Sequence, residues 1–397
     1  MLRERVGTRP LPRATDDTPS RRPRSVRRTV RSLHRVLGLI AAAGLLVSGL
    51  TGSALVFRSE IDTALNPHLL RVAPTETRAS LQSVVDEVRR EYPGDTLSRL
   101  RMPQRRDGTY ELWLGASPSR YVYADPYSGT LLGTRRPTEF LTGWLFLLHS
   151  QLLGGEVGRR VVGTGALCLV LLSMTGLVAW WPRRAPWRAW AQWRAALTVV
   201  RNHGATRTLY DLHRAIGFYA SVLLFAGGLT GASLIFTKTF ERAAYLVTFS
   251  RPPRVVEPAP AAPVGRQLVA RRPAALPLDS LLAIAERAQP GGAISYLYFP
   301  SAASQRFGIR KRLPGEKHPN GKSFVYLEPS NGRVLAVEDG VRAPLGARLY
   351  SILYPIHIGI LGGMLTRLLA VIVGLTLATL AITGVSMWWR RGWRRGW

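Results

Sequence analysis

Four of the seven histidines in this 397-residue chain recur in register with other motifs. Leu33-His34-Arg35 returns 179 residues later as Leu212-His213-Arg214, and at the same offset Leu50-Thr51-Gly52 returns as Leu229-Thr230-Gly231. A second block repeats at an offset of 208. There His149 matches His357, Gly154-Gly155 matches Gly362-Gly363, Arg159 matches Arg367, Thr175-Gly176 matches Thr383-Gly384, and Trp180-Trp181 matches Trp388-Trp389. The other histidines, His68, His203 and His318, have no counterpart and fall in loops. A neutral imidazole is a metal ligand. Histidines that recur as two pairs therefore point to paired ligation, and the elements that carry them decide which pairs can meet.

Four runs are long and apolar enough to cross a bilayer, which takes about 20 residues. They are Val36 to Phe57, Val161 to Trp181, Ala215 to Phe236 and Leu368 to Trp389, each free of acids. The first is too long for a signal peptide, and Arg58 stands where small residues would mark cleavage, so it reads as a retained span. Arginine is concentrated at residues 1–35 (eleven, with three acids), in 183–214 (seven, with one acid) and after Trp389. The segment 58–139 is nearly balanced, twelve Arg against eleven acids, and 239–349 is mildly basic. By the positive-inside rule both termini and the 183–214 loop are cytoplasmic and the two long segments lie outside. Much of the net charge of +30 is this asymmetry, and with no zinc-finger or helix-turn-helix signal, nucleic acid is not an expected partner. A single Cys excludes a disulfide framework, an iron–sulfur cluster and C-x-x-C-H haem attachment.

A span of ~22 residues at ~1.5 Å each separates the two sides by ~33 Å. His34 and His213 lie at the cytoplasmic ends of the first and third spans, and His149 and His357 on short apolar segments outside the second and fourth. His34 can thus face His213, and His149 can face His357. Two neutral imidazoles facing each other in a membrane read as bis-axial haem ligation, one haem between helices on each side. Gly38 and Gly217, four residues past His34 and His213, leave room for a flat macrocycle. Arg35 and Arg214 inside, and Arg159 and Arg367 outside, are candidate partners for propionates, with orientation and snorkelling as the other reading. The Thr-Gly pairs read as close helix packing, Trp180, Trp181, Trp388 and Trp389 as interfacial belt residues, and Cys168 as inert packing. A zinc or copper site would need ligands converging on one point, and a proton-driven transporter an acid inside a span; neither pattern is present.

The outer segments repeat as well. Leu81 to Glu91 and Leu281 to Ala288 have helical periodicity and end at Pro-Gly. Alternating runs follow in each: Leu97 to Met102, Tyr110 to Leu114 and Tyr121 to Tyr123, then Ile294 to Phe299, Arg306 to Arg310 and Phe324 to Leu327. Asp125-Pro126-Tyr127-Ser128-Gly129 and Glu328-Pro329-Ser330-Asn331-Gly332 predict tight turns between antiparallel strands.

The expected architecture is a membrane α-helical bundle of four transmembrane helices with two small α+β units outside, built by an internal parallel duplication. In order it has a disordered cytoplasmic tail (1–26), a first span (27–57), an outer domain (58–139), an interfacial helix and second span (140–182), and a cytoplasmic loop (183–207). The second half has a third span (208–238), a linker and outer domain (239–349, extended over 251–275), an interfacial helix and fourth span (350–390), and a cytoplasmic tail (391–397).

The Leu33-His34-Arg35 motif, Leu148-His149 followed by Gly154-Gly155, Thr175-Gly176 leading to Trp180-Trp181-Pro182, and the Asp125 to Gly129 turn resemble the PepSY-associated transmembrane protein family. That family includes iron-regulated membrane proteins and bacterial inner-membrane ferric-siderophore reductases, and the resemblance covers roughly residues 27–392. It implies four spans, two periplasmic PepSY-like domains and, in reductase members, two b-type haems held by histidines at the positions of His34, His213, His149 and His357. This chain departs in its Arg-rich N-terminal tail, in Glu328 at the usual Asp of the second turn, and in Arg390 where the second span has Pro182. The expectation is an inner-membrane di-haem oxidoreductase that reduces a periplasmic ferric siderophore or other ferric chelate. No side chain of its own would act as catalytic acid or base. The electron donor is a quinol or a separate reductase, since no glycine fingerprint for a nicotinamide or flavin follows a strand. The alternatives are a non-enzymatic membrane protein whose outer domains bind a peptide or protease, and a siderophore or metal permease.

Overall fold

In hydrocarbon every backbone N–H and C=O must be paired within the protein, so long apolar runs fold as helices. A computed structural model describes residues 26–115, 120–181, 190–199, 204–252, 275–301 and 304–393. The tail at 1–25, most of the 251–275 linker, parts of the 183–207 loop and the last four residues lie outside the described residues.

The chain begins with α1 (Val26–Leu55), followed by the short α2 (Arg58–Leu65) and α3 (Pro67–Leu70) and by α4 (Leu81–Glu91). Four strands follow: β1 (Leu97–Arg101), β2 (Tyr110–Leu114), β3 (Arg120–Ala124) and β4 (Leu131–Arg135). Then come α5 (Leu141–Gln151), α6 (Gly155–Trp180), α7 (Trp190–Leu197), α8 (Ala205–Ile235), α9 (Thr237–Val247) and α10 (Leu278–Ala288). The remaining elements are β5 (Ala293–Tyr298), β6 (Phe307–Arg312), β7 (Ser323–Leu327), β8 (Val334–Glu338), α11 (Leu345–His357) and α12 (Gly363–Trp393). Among the described residues, four helices are long and apolar enough to span a membrane: α1, α6, α8 and α12. Helices α1 and α8 start about three turns before their apolar runs, so His34 and His213 lie within helices rather than at their ends.

The spanning helices close a ring, α1 packing on α6 and α12, and α8 on the same two. Small residues let backbones approach, which drives packing where lipid offers no hydrophobic gain. A Cβ on Gly49 would lie 2.5 Å from the Gly374 carbonyl, joining α1 to α12, and one on Gly228 would lie 2.9 Å from the Ala166 carbonyl, joining α8 to α6. Midway along the bundle Leu45, Leu169, Ala220 and Leu224 are buried together, with Val373, Leu377 and Leu380 packed on them.

All eight strands form one antiparallel sheet in the order β4-β3-β2-β1-β5-β6-β7-β8. The two four-stranded halves join where β1 pairs with β5, Leu100 opposite Leu297. Strand alternation sends Leu100, Leu112, Leu297 and Ile309 to one face, where α4 and α10 cover them in a single core shared by both halves. Both turns form as the Pro and Gly positions demand, with Gly129 at φ 78° and Gly332 at φ 72°, conformations open to glycine at no steric cost. The strands β4 and β8 after these turns had no alternating pattern strong enough to predict.

The Gly49–Gly374 contact gives a test. Gly374→Val places a side chain against the Ser53 hydroxyl and the Gly49 carbonyl, and forcing α1 from α12 costs about 1–3 kcal/mol. The control is Leu375→Val on the same helix, where the side chain is exposed on the outside of the bundle. The expected outcome is a clearly lower thermal midpoint in detergent for Gly374→Val than for Leu375→Val.

Candidate functional site

His34 on α1 and His213 on α8 face one another across the bundle, their ring centroids 6.4 Å apart and their planes at 80°. Each imidazole is held by a threonine of a neighbouring helix. His34 Nδ1 lies 3.1 Å from Thr175 Oγ1 on α6, and His213 Nδ1 lies 2.8 Å from Thr383 Oγ1 on α12. A hydroxyl has one proton. Thr175 donates its proton to the Leu171 carbonyl at 2.7 Å, and Thr383 donates its own to the Thr379 carbonyl at 2.8 Å. Both hydroxyls therefore accept from Nδ1–H, and this assigns the tautomer with its lone pair on Nε2.

The second pair repeats the arrangement toward the sheet. His149 on α5 and His357 on α11 have centroids 6.2 Å apart and planes at 44°. His149 Nδ1 is 3.1 Å from Thr51 Oγ1 on α1, and His357 Nδ1 is 3.1 Å from Thr230 Oγ1 on α8. Thr51 and Thr230 donate to the Val47 and Ala226 carbonyls, so the same tautomer follows. Helix α5 turns back into α6 through Leu152 and Leu153, both at positive φ.

The glycine after each threonine makes the approach possible. A Cβ would lie 2.9 Å from His149 Cε1 at Gly52, 3.1 Å from His34 Cε1 at Gly176, 3.3 Å from His357 Cε1 at Gly231 and 3.4 Å from His213 Cε1 at Gly384. The Thr-Gly pairs, expected as packing motifs, are thus the seats of the four imidazoles. Their recurrence at the histidine offsets was the available signal. At Gly38 and Gly217, expected to leave room for a macrocycle, a Cβ would meet only Leu172 at 3.7 Å and Leu380 at 3.8 Å, ordinary contact distances.

With Nδ1 engaged, each imidazole has only Nε2 to offer a ligand. A first-row metal binds imidazole nitrogen at about 2.0–2.1 Å, and the ring centre lies roughly 1.1 Å behind that atom, so two imidazoles on opposite sides of one metal have centroids about 6.3 Å apart. Both pairs have this spacing. Among the described residues no group of three or more His, Cys, Asp or Glu gathers as metal ligands would, so each pair can offer a ligand two imidazoles. Thr51 lies seventeen residues beyond His34 on α1, and at ~1.5 Å per residue the two sites are ~25 Å apart along the bundle, closer than the ~33 Å of a whole span.

Residues 31–391 match the model of the PepSY-associated TM region. The chain belongs to the PepSY-associated transmembrane family. A search of curated proteins finds none that matches.

The other candidate residues of this PepSY-associated protein fall as follows. Arg159, at the start of α6, donates to the Ile235 carbonyl ending α8 at 3.2 Å and lies 3.5 Å from Glu156. Arg367, at the start of α12, donates to the Val56 carbonyl beyond α1 at 2.8 Å and pairs with Glu60 at 2.5 Å. Both arginines satisfy carbonyls left over at helix C-termini, where positive charge is favoured. Arg214 pairs at 3.1 Å with the buried Asp211, which also binds Arg207 at 2.9 Å. Arg35 is exposed. Trp181, Trp388 and Trp389 are exposed as belt residues would be, whereas Trp180 is buried and stacks on Phe218 with centroids 3.9 Å apart. That position faces α8, which its apolar neighbours could not reveal. Cys168 is half-buried. His68 is exposed on α3, His318 is buried, and His203 lies outside the described residues.

The hydroxyl contacts make a specific prediction. Thr175→Val strands the His34 Nδ1–H in the bundle at a cost of about 1–3 kcal/mol, whereas Thr175→Ser keeps the acceptor and costs less. Thermal midpoints in detergent should fall in the order wild type, Ser, Val; equal values for Ser and Val would remove the hydrogen bond from the account.

Proposed function

We propose that this chain is a bacterial inner-membrane electron-transfer protein, an oxidoreductase that holds two b-type haems and reduces a ferric chelate on the side of the sheet. The observation that carries the reading is the pairing of imidazoles at 6.4 and 6.2 Å with every Nδ1 committed to a threonine. His34 with His213 would hold one haem, and His149 with His357 the other. Haem bound in this way supplies one-electron transfer.

The chain's own residues set the conditions for that transfer. Each threonine fixes its imidazole's orientation and tautomer, and accepting from Nδ1–H raises the basicity of Nε2. The Thr-Gly glycines admit the ring edge. Between the sites Leu45, Leu169, Ala220 and Leu224 pack into an apolar layer, which is poor lining for an ion path. This weighs against a permease. Arg214, Arg159 and Arg367 have protein partners, which leaves the exposed Arg35 as the candidate for a propionate.

The concentration of arginine at residues 1–35 and 183–214 supports cytoplasmic termini and a periplasmic sheet. The matched offsets support an origin by parallel duplication. A quinol or a separate reductase would supply electrons on the cytoplasmic side. Hard oxygen donors hold Fe(III) better than Fe(II), so reduction outside releases the metal.

The test is a dithionite-reduced minus oxidised spectrum of the purified protein with pyridine-haemochrome quantification. Two b haems per chain are expected, with about one lost in His34→Ala and the other in His357→Ala. Protein made with adequate haem supply yet containing none would overturn the reading and leave the histidines structural.

A further inference from the structure

The face of the sheet turned away from α4 and α10 is built of aromatic rings and arginines. Across the strands one row runs Trp113, Arg99, Tyr298, Gly308, Tyr326. The next runs Glu111, Arg101, Tyr296, Arg310, Phe324. This face is held against the helices that carry the sheet-side histidines. On one flank Tyr121 and Tyr123 pack on Leu69 of α3 and on Phe140, which immediately precedes α5. On the other His318 stacks on Tyr354 of α11, ring centroids 5.1 Å apart, one turn before His357.

The charges on the face do not balance. Arg101 has Glu111 at 3.6 Å, and Arg135 has Asp62 at 2.6 Å. Arg310 bonds neutral groups, the Gly321 carbonyl at 2.6 Å and His318. His318 adds no charge, because burial and then the adjacent Arg310 push its pKa down to about 3. Arg99 has no carboxylate partner among the described residues. Its guanidinium lies 4.4 Å from the Trp113 ring centroid and 5.5 Å from that of Tyr298, and its Nε is buried without a hydrogen-bond partner. Burial raises the Tyr296 hydroxyl above the usual phenol range, so it stays protonated and able to donate. A planar cation between two rings, with phenols beside it and no counter-ion, complements a flat anion with a π surface.

We propose that this face binds ferric chelates in which aryl-oxygen groups such as catecholates hold the iron, and that it binds them as anions around Arg99. The proposal rests on the electron-transfer reading above and names its substrate class. Catecholate brings two negative charges per ring, so a tris-catecholate leaves Fe(III) with net negative charge. Hydroxamate brings one, so a tris-hydroxamate leaves the metal neutral and presents no ring. Charge and stacking thus select the same class. The stack of His318 on Tyr354 ties the face to the helix bearing His357.

Gallium(III) matches the charge and size of Fe(III) and takes no electron from haem, so its chelates report binding alone. Full-length protein in detergent is titrated with Ga(III) tris-catecholate and with a Ga(III) tris-hydroxamate, following tryptophan fluorescence and confirming by equilibrium dialysis. The catecholate should bind at least about tenfold more tightly, with the preference shrinking as salt is added. Arg99→Gln should weaken the catecholate by about tenfold or more with the haem spectrum unchanged. Equal affinity for the two chelates, or an affinity that Arg99→Gln leaves unchanged, overturns the proposal. If that variant does not fold, the wild-type comparison decides by itself. A chelate preference in protein without haem would sink the electron-transfer reading alone, and two haems without a preference would sink the substrate class alone.

Discussion

A buried imidazole carries one N–H and one lone pair, and leaving either unmatched in a membrane is costly. The rest of this protein is arranged around meeting half of that demand at four places. In each, a threonine hydroxyl gives its proton to its own helix and accepts the imidazole N–H. The helix backbone thereby dictates which way the hydroxyl points, and the hydroxyl dictates which nitrogen of the imidazole is free. Because Thr51 shares α1 with His34, and Thr230 shares α8 with His213, these bonds also set axial register. Sliding a helix by one turn, about 5.4 Å, would break them.

Register at that accuracy needs helices that meet backbone to backbone. The contacts at Gly49 with Gly374 and at Gly228 with Ala166 provide it on opposite sides of the ring. Arg159 and Arg367 then fasten the sheet-side ends by reaching the last carbonyls of the neighbouring spans. These arginines do in the structure what a C-terminal cap does in a soluble helix. The sequence allowed them a role toward haem propionates, and their position at a helix start next to another helix's end gives them a structural contact.

Outside the bundle, one sheet replaces two independent units. The β1–β5 pairing covers what would be an exposed edge on each half, and edges are where strands aggregate. It also merges two small cores, each of which alone would bury little surface, into a single larger one under α4 and α10. The opposite face, turned toward the helices that carry the sheet-side histidines, is where the aromatic rings and arginines gather.

The amino-acid order alone determined the spans, because an apolar run of this length has no other stable state in a bilayer. It also determined that the histidines come in two pairs, since Leu33-His34-Arg35 and His149 recur at fixed offsets and span length forbids the other pairing. Six of the eight strands, all but β4 and β8, and the tight turns were legible for the same local reasons. Tertiary structure decided what depends on contacts between distant segments. Thr51 meets His149 across 98 positions and Thr175 meets His34 across 141, so nothing near either threonine marks it as more than a small packing residue. The join of β1 to β5 is a pairing of edges, and edge strands carry the same alternation whether or not another strand lies beside them. Arg99 reads as one more surface cation until the register sets Trp113 on one side of it and Tyr298 on the other.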